Sequence, residues 1–398
     1  MQISDRLARL KAPAIRVIAE RAGELAASGV DVVSMSAGEP DFTTPQAIID
    51  AASAAATRGE THYSPAAGIK PLREEVAQYY RTRFGLEFAP EQVIIGNGAK
   101  PLLYETLAAL VNPGDEVIVI APAWVSYFEQ IRLCEGTPVV VETTPSAHDL
   151  DLDAIRAAIT ERTVAVILNA PNNPTGKIYS DDRVVDLCRL SIEHGFTIIN
   201  DEVYERITFG GRAYRNPLCL CPDAAEHLVS INSVSKTFAM TGWRVGYALA
   251  PLPLIKKITA LQGHIISGAP SPAQWAALAA IKNGDDDVTR MCDAYEERLA
   301  LISQSLTAMP LVRYTPPDGT FYAFVDIREV IGRTVRGEEI TDDVGFCEAL
   351  LEVEQVAIVP GTAFLAPGFV RLSFATGHER LEAGLSRLHR FLAQISEP

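Results

Sequence analysis

The segment from Leu228 to Gly246, LVSINSVSKTFAMTGWRVG, places a lysine where an apolar strand passes into a turn that contains glycine and tryptophan. Most lysines are solvated surface cations, but the end of a buried strand is a poor position for a solvated side chain. Burial and the nearby Arg244 would both lower the pKa of Lys236, which is the condition for an amine nucleophile and general base.

Outward from this segment, residues 90–250 alternate short β-branched runs with amphipathic stretches such as Leu103–Val111 and Asp182–His194. Apolar strands that alternate with helices are typical of a mostly parallel sheet covered on both faces. The predicted strands are Val93–Ile95, Val117–Ile120, Pro138–Val141, Val164–Leu168, Thr197–Ile199, Leu228–Ile231 and Val245–Leu249.

The pattern changes after Pro253 to a mixture of long helices and separate strands. We therefore predict an α/β fold with a large domain, residues 46–280, and a smaller α+β domain formed by residues 1–45 and 281–398. The elements expected in the C-terminal part are helices Asp285–Met309 and His378–Gln394 and strands Phe321–Asp326, Val356–Ile358 and Val370–Phe374.

Composition argues against several classes of function. The formal net charge of -15 over 398 residues disfavours binding to nucleic acids or anionic membrane surfaces. No run of 18 apolar residues or signal-peptide pattern is present, and the six cysteines do not have the spacing of a metal site or a disulfide framework. We expect a cytoplasmic protein without a metal, in which the cysteines are reduced.

Polar residues follow the predicted strands at their carboxyl ends, where open α/β sheets bind ligands. Five of the predicted strands supply them, so we expect one shared site at this edge of the sheet. In chain order the residues are Gly98, Ala99, Lys100, Trp124, Asn173, Asp201, Tyr204, Ser233, Ser235 and Lys236.

Three of these positions have a chemical interpretation and a plainer alternative. The turn Gly96–Pro101 exposes backbone N–H groups that suit a phosphate, or is an ordinary turn; it fits neither a dinucleotide fingerprint nor a P-loop. The loop Asn169–Gly176 holds an amide rigidly between prolines, or is only a structural loop. The carboxylate of Asp201 meets a cation such as a protonated ring nitrogen, or caps the next helix.

Further motifs complete a recognisable set: GEPDF at 38–42, YSPAAG at 63–68, NPGDEV at 112–117, WVSY at 124–127, NNPTG at 172–176 and RLS at 371–373. With the lysine segment, they span essentially the whole chain. The sequence resembles the class I, fold-type I aminotransferases, in particular the bacterial aspartate/prephenate aminotransferase branch. The resemblance implies pyridoxal 5'-phosphate as the cofactor and ping-pong amino transfer between an amino acid and a 2-oxo acid.

The resemblance also implies roles for individual residues around the cofactor ring. Lys236 matches the lysine that binds the cofactor covalently and shuttles the proton. Asp201 matches the carboxylate paired with the ring nitrogen, Tyr204 and Asn173 match the partners of the 3-oxygen, and Trp124 matches the stacked aromatic residue.

The phosphate and the second subunit are covered by the same resemblance. Ser233, Arg244 and the turn Gly98–Lys100 match the phosphate cup, to which Ser235 is a further candidate. Tyr63 matches a residue that reaches the phosphate from the partner subunit, which implies a homodimer with shared active sites.

Substrate selection depends on a further set of residues. Arg371 matches the residue that clamps the α-carboxylate, assisted by the backbone of Gly38 and by Asn173, while Trp124 lines the same pocket. Lys100 matches a lysine that recognises a distal carboxylate, which favours aspartate, glutamate and 2-oxoglutarate; the alternative is a phosphate contact through its backbone alone.

One departure concerns prephenate. Prephenate-active relatives have threonine where this chain has Ile15, which cannot donate a hydrogen bond, although the neighbouring Arg16 and the matching Glu39 leave the question open. Aspartate with 2-oxoglutarate is therefore the expected substrate pair, with aromatic or other neutral amino acids next. A lyase or synthase that uses the same cofactor, and an inactive regulatory protein, are the remaining alternatives.

Overall fold

The structure, a computed structural model, describes residues 3–8, 10, 15–144 and 147–396. Its helices are α1 (Asp5–Ala8), α2 (Ile15–Ala27), α3 (Gln46–Thr57), α4 (Lys70–Phe84), α5 (Ala99–Leu110), α6 (Ser126–Leu133), α7 (Leu152–Ala158), α8 (Asp181–His194), α9 (Pro217–Leu220), α10 (Val234–Thr237), α11 (Leu252–Ile265), α12 (Ser271–Asn283), α13 (Asp285–Ala308), α14 (Asp343–Glu354) and α15 (His378–Ala393). Its strands are β1 (Val33–Ser34), β2 (Val93–Gly96), β3 (Glu116–Ala121), β4 (Thr137–Glu142), β5 (Thr163–Asn169), β6 (Thr197–Asp201), β7 (Leu228–Ser233), β8 (Gly246–Leu249), β9 (Arg313–Tyr314), β10 (Tyr322–Asp326), β11 (Thr334–Val335), β12 (Glu338–Glu339), β13 (Val356–Ala357), β14 (Val359–Pro360), β15 (Phe369–Ser373) and β16 (Ile395–Ser396).

A seven-stranded sheet in the order β2-β8-β7-β6-β5-β3-β4 forms the centre of the fold. Only β8 runs antiparallel to its neighbours, whereas the pairs among β3 to β7 are parallel. The predicted mostly parallel, seven-stranded sheet is therefore confirmed. Because β8 is reversed, it begins at the edge where the other six strands end, so Arg244, just before it, lies at that edge too.

Helices cover both faces of this sheet because alternate strand residues point to opposite sides. Ala165 and Ile167 of β5 belong to a buried cluster with the leucines of α5. Val166 and Leu168 belong to a second cluster, with Leu187 and Leu190 of α8. The sheet is thus held between two apolar layers, and its polar edge is left for a binding site.

A second, antiparallel sheet, β14-β15-β10-β9, is built from the C-terminal part of the chain. Its register sets Tyr322 opposite Ser373 and Phe324 opposite Arg371. The short strand β1 pairs with β13 and so ties the N-terminal segment to this part. The exact division into domains at residues 45 and 280 stays a prediction.

One expected strand is wrong in detail. The run Val356–Ile358 was expected to be a single strand, but β13 ends at Ala357 and β14 begins at Val359. The chain changes partners at Ile358, since β13 pairs with β1 while β14 pairs with β15. An apolar run cannot reveal such a change, because both partners demand the same residues.

Among the described residues, no helix is long and apolar enough to cross a membrane. That part of the chain also contains no group of three histidine, cysteine or acidic residues arranged to hold a metal ion. All six cysteines lie in the described parts of the chain, and none of them is in a disulfide bond.

Candidate active site

A cavity of about 440 Å³ opens at the carboxyl ends of the parallel strands, next to the second sheet. It brings together most of the residues predicted from the sequence. Those lining it are Gly38, Ala99, Lys100, Trp124, Asn173, Asp201, Tyr204, Ser233, Ser235, Lys236, Arg244 and Arg371.

Lys236 lies in the short helix α10, directly after β7, and is half-buried. Its Nζ donates a hydrogen bond to the carbonyl oxygen of Gly38. Burial, together with the charges of Arg371 and Arg244, lowers the pKa of Lys236 to about 8 against the opposing charge of Glu39. A lysine in this state has a substantial neutral fraction near neutral pH, as a nucleophile or base requires.

Asp201 ends β6 and is only 3% exposed. Tyr127 Oη donates to its Oδ2 at 2.5 Å, and the backbone N–H of Val203 donates to Oδ1 at 3.4 Å. Burial raises the pKa of Asp201 to about 6, although Tyr127 and the charge of Lys236 act in the opposite direction. It forms no ion pair with any described residue, so the site suits a cationic ligand group.

Arg371, on β15, is 3% exposed. Its Nη1 donates to Asn173 Oδ1 at 2.9 Å and its Nη2 to the carbonyl oxygen of Ser36 at 3.1 Å. The guanidinium lies 4.1 Å from the ring centre of Tyr322, and Nε has no partner. Within the described residues no carboxylate pairs with this buried cation, which suits an anionic ligand.

Asn173 is held from both sides. Its backbone N–H donates to Asn169 Oδ1 at 2.8 Å, and its own Oδ1 accepts from Arg371. The amide Nδ2 is therefore the group free to donate to a ligand oxygen. The rigid loop interpretation of Asn169–Gly176 agrees with this arrangement.

Tyr204 is buried, and its hydroxyl lies 3.0 Å from the hydroxyl of Tyr322. Burial raises the pKa of Tyr204 well above its usual range, so it stays protonated and can donate a hydrogen bond. Tyr322 thus links two predicted residues, since it also lies under Arg371.

An anion cradle is formed where α5 begins. Gly98 has a φ of +98° and its backbone passes so close to Arg244 that an added Cβ would collide with the guanidinium. Arg244 donates to Thr241 O at 2.8 Å and to Asn97 O at 3.4 Å, and pairs with no carboxylate among the described residues. The N-terminus of the 12-residue helix α5, beside the guanidinium of Arg244, therefore fits a phosphate.

Lys100 and Trp124 form the outer side of the cavity. The Nζ of Lys100 lies 4.5 Å from the ring centre of Trp124. Burial and then the charge of Arg244 lower the pKa of Lys100. Lys100 also pairs with no carboxylate in the described parts of the chain.

Two predicted residues, Gly98 and Tyr63, do not line the cavity. Tyr63 is 94% exposed and points away from its own chain. Ile15 begins α2, but its side chain is outside what the structure describes. Glu39, which is exposed, accepts a hydrogen bond from Thr241 Oγ1 at 2.7 Å.

Sequence reasoning gave no role to several residues that support the site. Tyr127 could have been found, because it lies three residues after Trp124 at the start of a helix and so shares its side. Tyr322 and Ser36 could not, because their contacts join segments that are distant in the chain.

Comparison with known proteins assigns the chain to a family. A family model described as aminotransferase class I and II matches residues 30–388. The chain belongs to that family, and it is an aspartate aminotransferase-like enzyme. The resemblance stated from the motifs is confirmed.

Individual relatives match over nearly their full length. The chain is 42% identical to an aspartate aminotransferase of Geobacillus stearothermophilus, covering 98% of this chain and 99% of the relative. It is 40% identical to the aspartate/prephenate aminotransferase of Thermus thermophilus, with the same coverage. A crystal structure of the Rhizobium meliloti aspartate aminotransferase superimposes with a TM-score of 0.96 at 34% identity, with 100% of both chains covered, which confirms the predicted fold.

Proposed function

We propose that this aminotransferase binds pyridoxal 5'-phosphate in the cavity and moves an amino group between aspartate or glutamate and 2-oxoglutarate or oxaloacetate. One observation carries the proposal. Lys236, Asp201 and Arg371 line a single cavity, and none of them forms an ion pair with another described residue. A lysine of lowered pKa, a buried acid and a buried unpaired guanidinium are the three groups that this reaction needs.

The residues present fit the cofactor at each of its parts. Asp201, a buried acid without a cation, suits a protonated ring nitrogen. The helix N-terminus at Ala99, with Arg244 and the serines before and within α10, suits the phosphate. Tyr204 and the Nδ2 of Asn173 would both donate hydrogen bonds to the 3-oxygen.

The mechanism then divides among the chain's own groups. The cofactor, when bound, supplies an electron sink for the bond broken at the substrate Cα. Arg371 binds the α-carboxylate and thereby orients the Cα–H bond. The neutral amine of Lys236 would take the proton from the substrate Cα and return it at the cofactor's C4′ carbon, and Asp201 would hold the proton on the ring nitrogen.

Selectivity for a dicarboxylic substrate rests on Lys100. Its ammonium lies at the cavity beside Trp124 without an acidic partner among described residues, and so is available to a distal carboxylate. The Thermus thermophilus aspartate aminotransferase, 39% identical to this chain, has been solved with maleate, a dicarboxylate. Neutral and aromatic amino acids are the second candidates, because Ile15 would make its part of the pocket more apolar.

The exposed Tyr63 supports a homodimer. A tyrosine that is 94% exposed and lies outside the cavity of its own chain is available to contact another molecule. We propose that it reaches the phosphate of the partner subunit's site. A cytoplasmic location stays a prediction.

A half-reaction screen tests the proposed function. The purified enzyme loaded with cofactor is mixed with each amino acid in turn, without an acceptor, and the visible absorption band is followed. We expect aspartate and glutamate to bleach the band fastest and to release one equivalent of 2-oxo acid. Loss of the band without any 2-oxo acid, or no reaction with any amino acid, would refute transamination.

A further inference from the structure

A second buried carboxylate, Glu202, directly follows Asp201 but does not line the active-site cavity. It is 0% exposed. Side chains at the end of a strand alternate between the two faces of the sheet. Asp201 therefore faces the cavity, and Glu202 reaches into the protein on the other side.

Glu202 is enclosed by four hydrogen-bond donors. Its Oε2 accepts from Tyr214 Oη at 2.6 Å and from the amides of Asn200 and Asn216, each at 2.9 Å. Its Oε1 accepts from Tyr80 Oη, the only donor to that oxygen among the described residues. Burial raises the pKa of Glu202 to about 7, and the bonds from Tyr214 and Tyr80 oppose that shift.

These donors connect the end of β6 to separate segments that pack around the seven-stranded sheet. Asn200 is on β6 itself, Tyr214 and Asn216 precede α9, and Tyr80 is on α4. Asn216 also donates to Ser230 Oγ at 2.8 Å, which links the cage to β7. A single carboxylate thus anchors β6 to three neighbours.

The turn formed by residues 202–205, which contains Tyr204, begins at Glu202 and is held in place by it. The backbone N–H of Glu202 donates to Ile231 O at 3.0 Å, and its carbonyl oxygen accepts from Glu205 N at 3.0 Å. Tyr204 lies within that turn. By contrast, the carboxylate of Asp201 has only Tyr127 and one backbone N–H as donors among the described residues.

We propose that Glu202 is a positioning residue, which holds Asp201 and Tyr204 at the cofactor ring from the far side of the sheet. The inference rests on the proposed function, because it assumes that Asp201 and Tyr204 contact the cofactor. Glu202 touches neither cofactor nor substrate, and it acts only through the turn.

The neighbouring Glu205 supplies a matched control. It is 1% exposed, and Tyr79 Oη donates to its Oε1 while Arg83 Nε lies 2.6 Å from its Oε2. Tyr79 and Tyr80 are adjacent tyrosines on α4, and each donates to one buried glutamate. Glu202 adjoins Asp201, whereas Glu205 follows Tyr204 and keeps its ion pair with Arg83 when Tyr79 loses its hydroxyl.

The experiment compares Tyr80→Phe with Tyr79→Phe in the cofactor-loaded enzyme. Each change removes one hydroxyl and leaves one carboxylate oxygen without its donor. We expect Tyr80→Phe to lower kcat about tenfold through displacement of Asp201 and Tyr204, with an unchanged KM for aspartate because Arg371 is untouched. We expect Tyr79→Phe to keep kcat within about twofold despite a similar loss in Tm.

The absorption spectrum separates positioning from stability. In Tyr80→Phe, the pH midpoint of the bound cofactor's visible band should move by about 0.5 unit or more, because its ring and 3-oxygen partners shift. Tyr79→Phe should keep the wild-type midpoint. If Tyr80→Phe does not fold, Tyr214→Phe, which leaves two donors on Oε2, replaces it with the same expected signs.

Equal effects of the two variants on kcat and on the midpoint, or no effect of either, would overturn the positioning role. The proposed function fails differently. In that case the wild-type enzyme itself would not bind pyridoxal 5'-phosphate or would not transaminate, whatever the variants do.

Discussion

The two sides of the active-site cavity are built in opposite ways. Its inner wall consists of Asp201, Asn173, Tyr204 and Arg371, which are all buried and hydrogen-bonded to other protein groups. Its outer wall consists of Lys100 and Arg244, which are exposed and have no acidic partner among the described residues.

The difference separates chemistry from selectivity. Groups of the inner wall keep their positions before any ligand arrives, which lowers the cost of organising the reaction. In the outer wall, the ammonium of Lys100 is available to a distal carboxylate, whereas Arg244 belongs to the anion cradle. Substitutions in the inner wall should therefore harm every substrate, and substitution of Lys100 should discriminate between substrates.

The largest effect is expected for Asp201→Asn in the inner wall. The neutral amide keeps the shape but cannot stabilise a protonated ring nitrogen, so kcat should fall about 10³-fold for all amino acids. Steady-state kinetics with aspartate and phenylalanine measure this. Asp149→Asn, which removes a buried carboxylate outside the cavity, is the control and should cost stability alone. Retention of normal kcat would separate Asp201 from the reaction.

Arg371→Lys should have the next largest effect. Lysine keeps the charge but loses the forked geometry, so kcat/KM should fall about 10²-fold for every amino acid. The matched change Arg298→Lys, at another buried arginine, which pairs with Asp41, should alter kcat/KM by less than about threefold. A loss confined to dicarboxylic substrates would place Arg371 at the wrong carboxylate.

Lys100→Ala sharpens the comparison from the outer wall. If its ammonium binds the distal carboxylate, the KM for aspartate should rise about tenfold, because one charge-assisted hydrogen bond is lost. The KM for alanine should stay nearly constant. Equal changes in KM for aspartate, alanine and phenylalanine would show that the side chain of Lys100 does not recognise a distal carboxylate, and only its backbone contact with the phosphate would remain.

Lys236 lies between the two walls, and its lowered pKa predicts that the rate of cofactor uptake depends on pH. Only its neutral amine reacts with an aldehyde, and burial lowers its pKa from 10.5 to about 8. Cofactor uptake by the apoprotein should therefore accelerate about tenfold per pH unit below 8 and level off above it. Stopped-flow absorbance measures the rate. A rate that continues to rise up to pH 10 would show that the lysine is not perturbed.

The sequence predicted those parts of the site that depend on local patterns and strand order, and not the contacts between segments that are distant in the chain. Residues at strand ends were found because parallel strands bring their carboxyl ends to one edge, as for Asp201 and Lys236. The motifs that match the aminotransferase family gave Arg371 and Asn173 their expected roles. Their mutual hydrogen bond joins positions 198 apart in the chain, and no local pattern encodes it.

The residues that sequence reasoning missed share a different cause. Tyr322 bridges Tyr204 and Arg371 because of the register between β10 and β15, which a single sequence does not specify. In the sequence, Glu202 is an ordinary charged neighbour of Asp201. Its burial becomes evident only in the structure, where α4 packs behind β6.

The most direct test of the central claim is to identify the residue that carries the cofactor. The holoenzyme is reduced with borohydride, which makes the cofactor–lysine linkage permanent, and then digested and analysed by mass spectrometry. The account predicts that the added mass lies on Lys236, in the peptide that also contains Ser233 and Ser235. The same mass on Lys100 or any other lysine, with Lys236 unmodified, would contradict it.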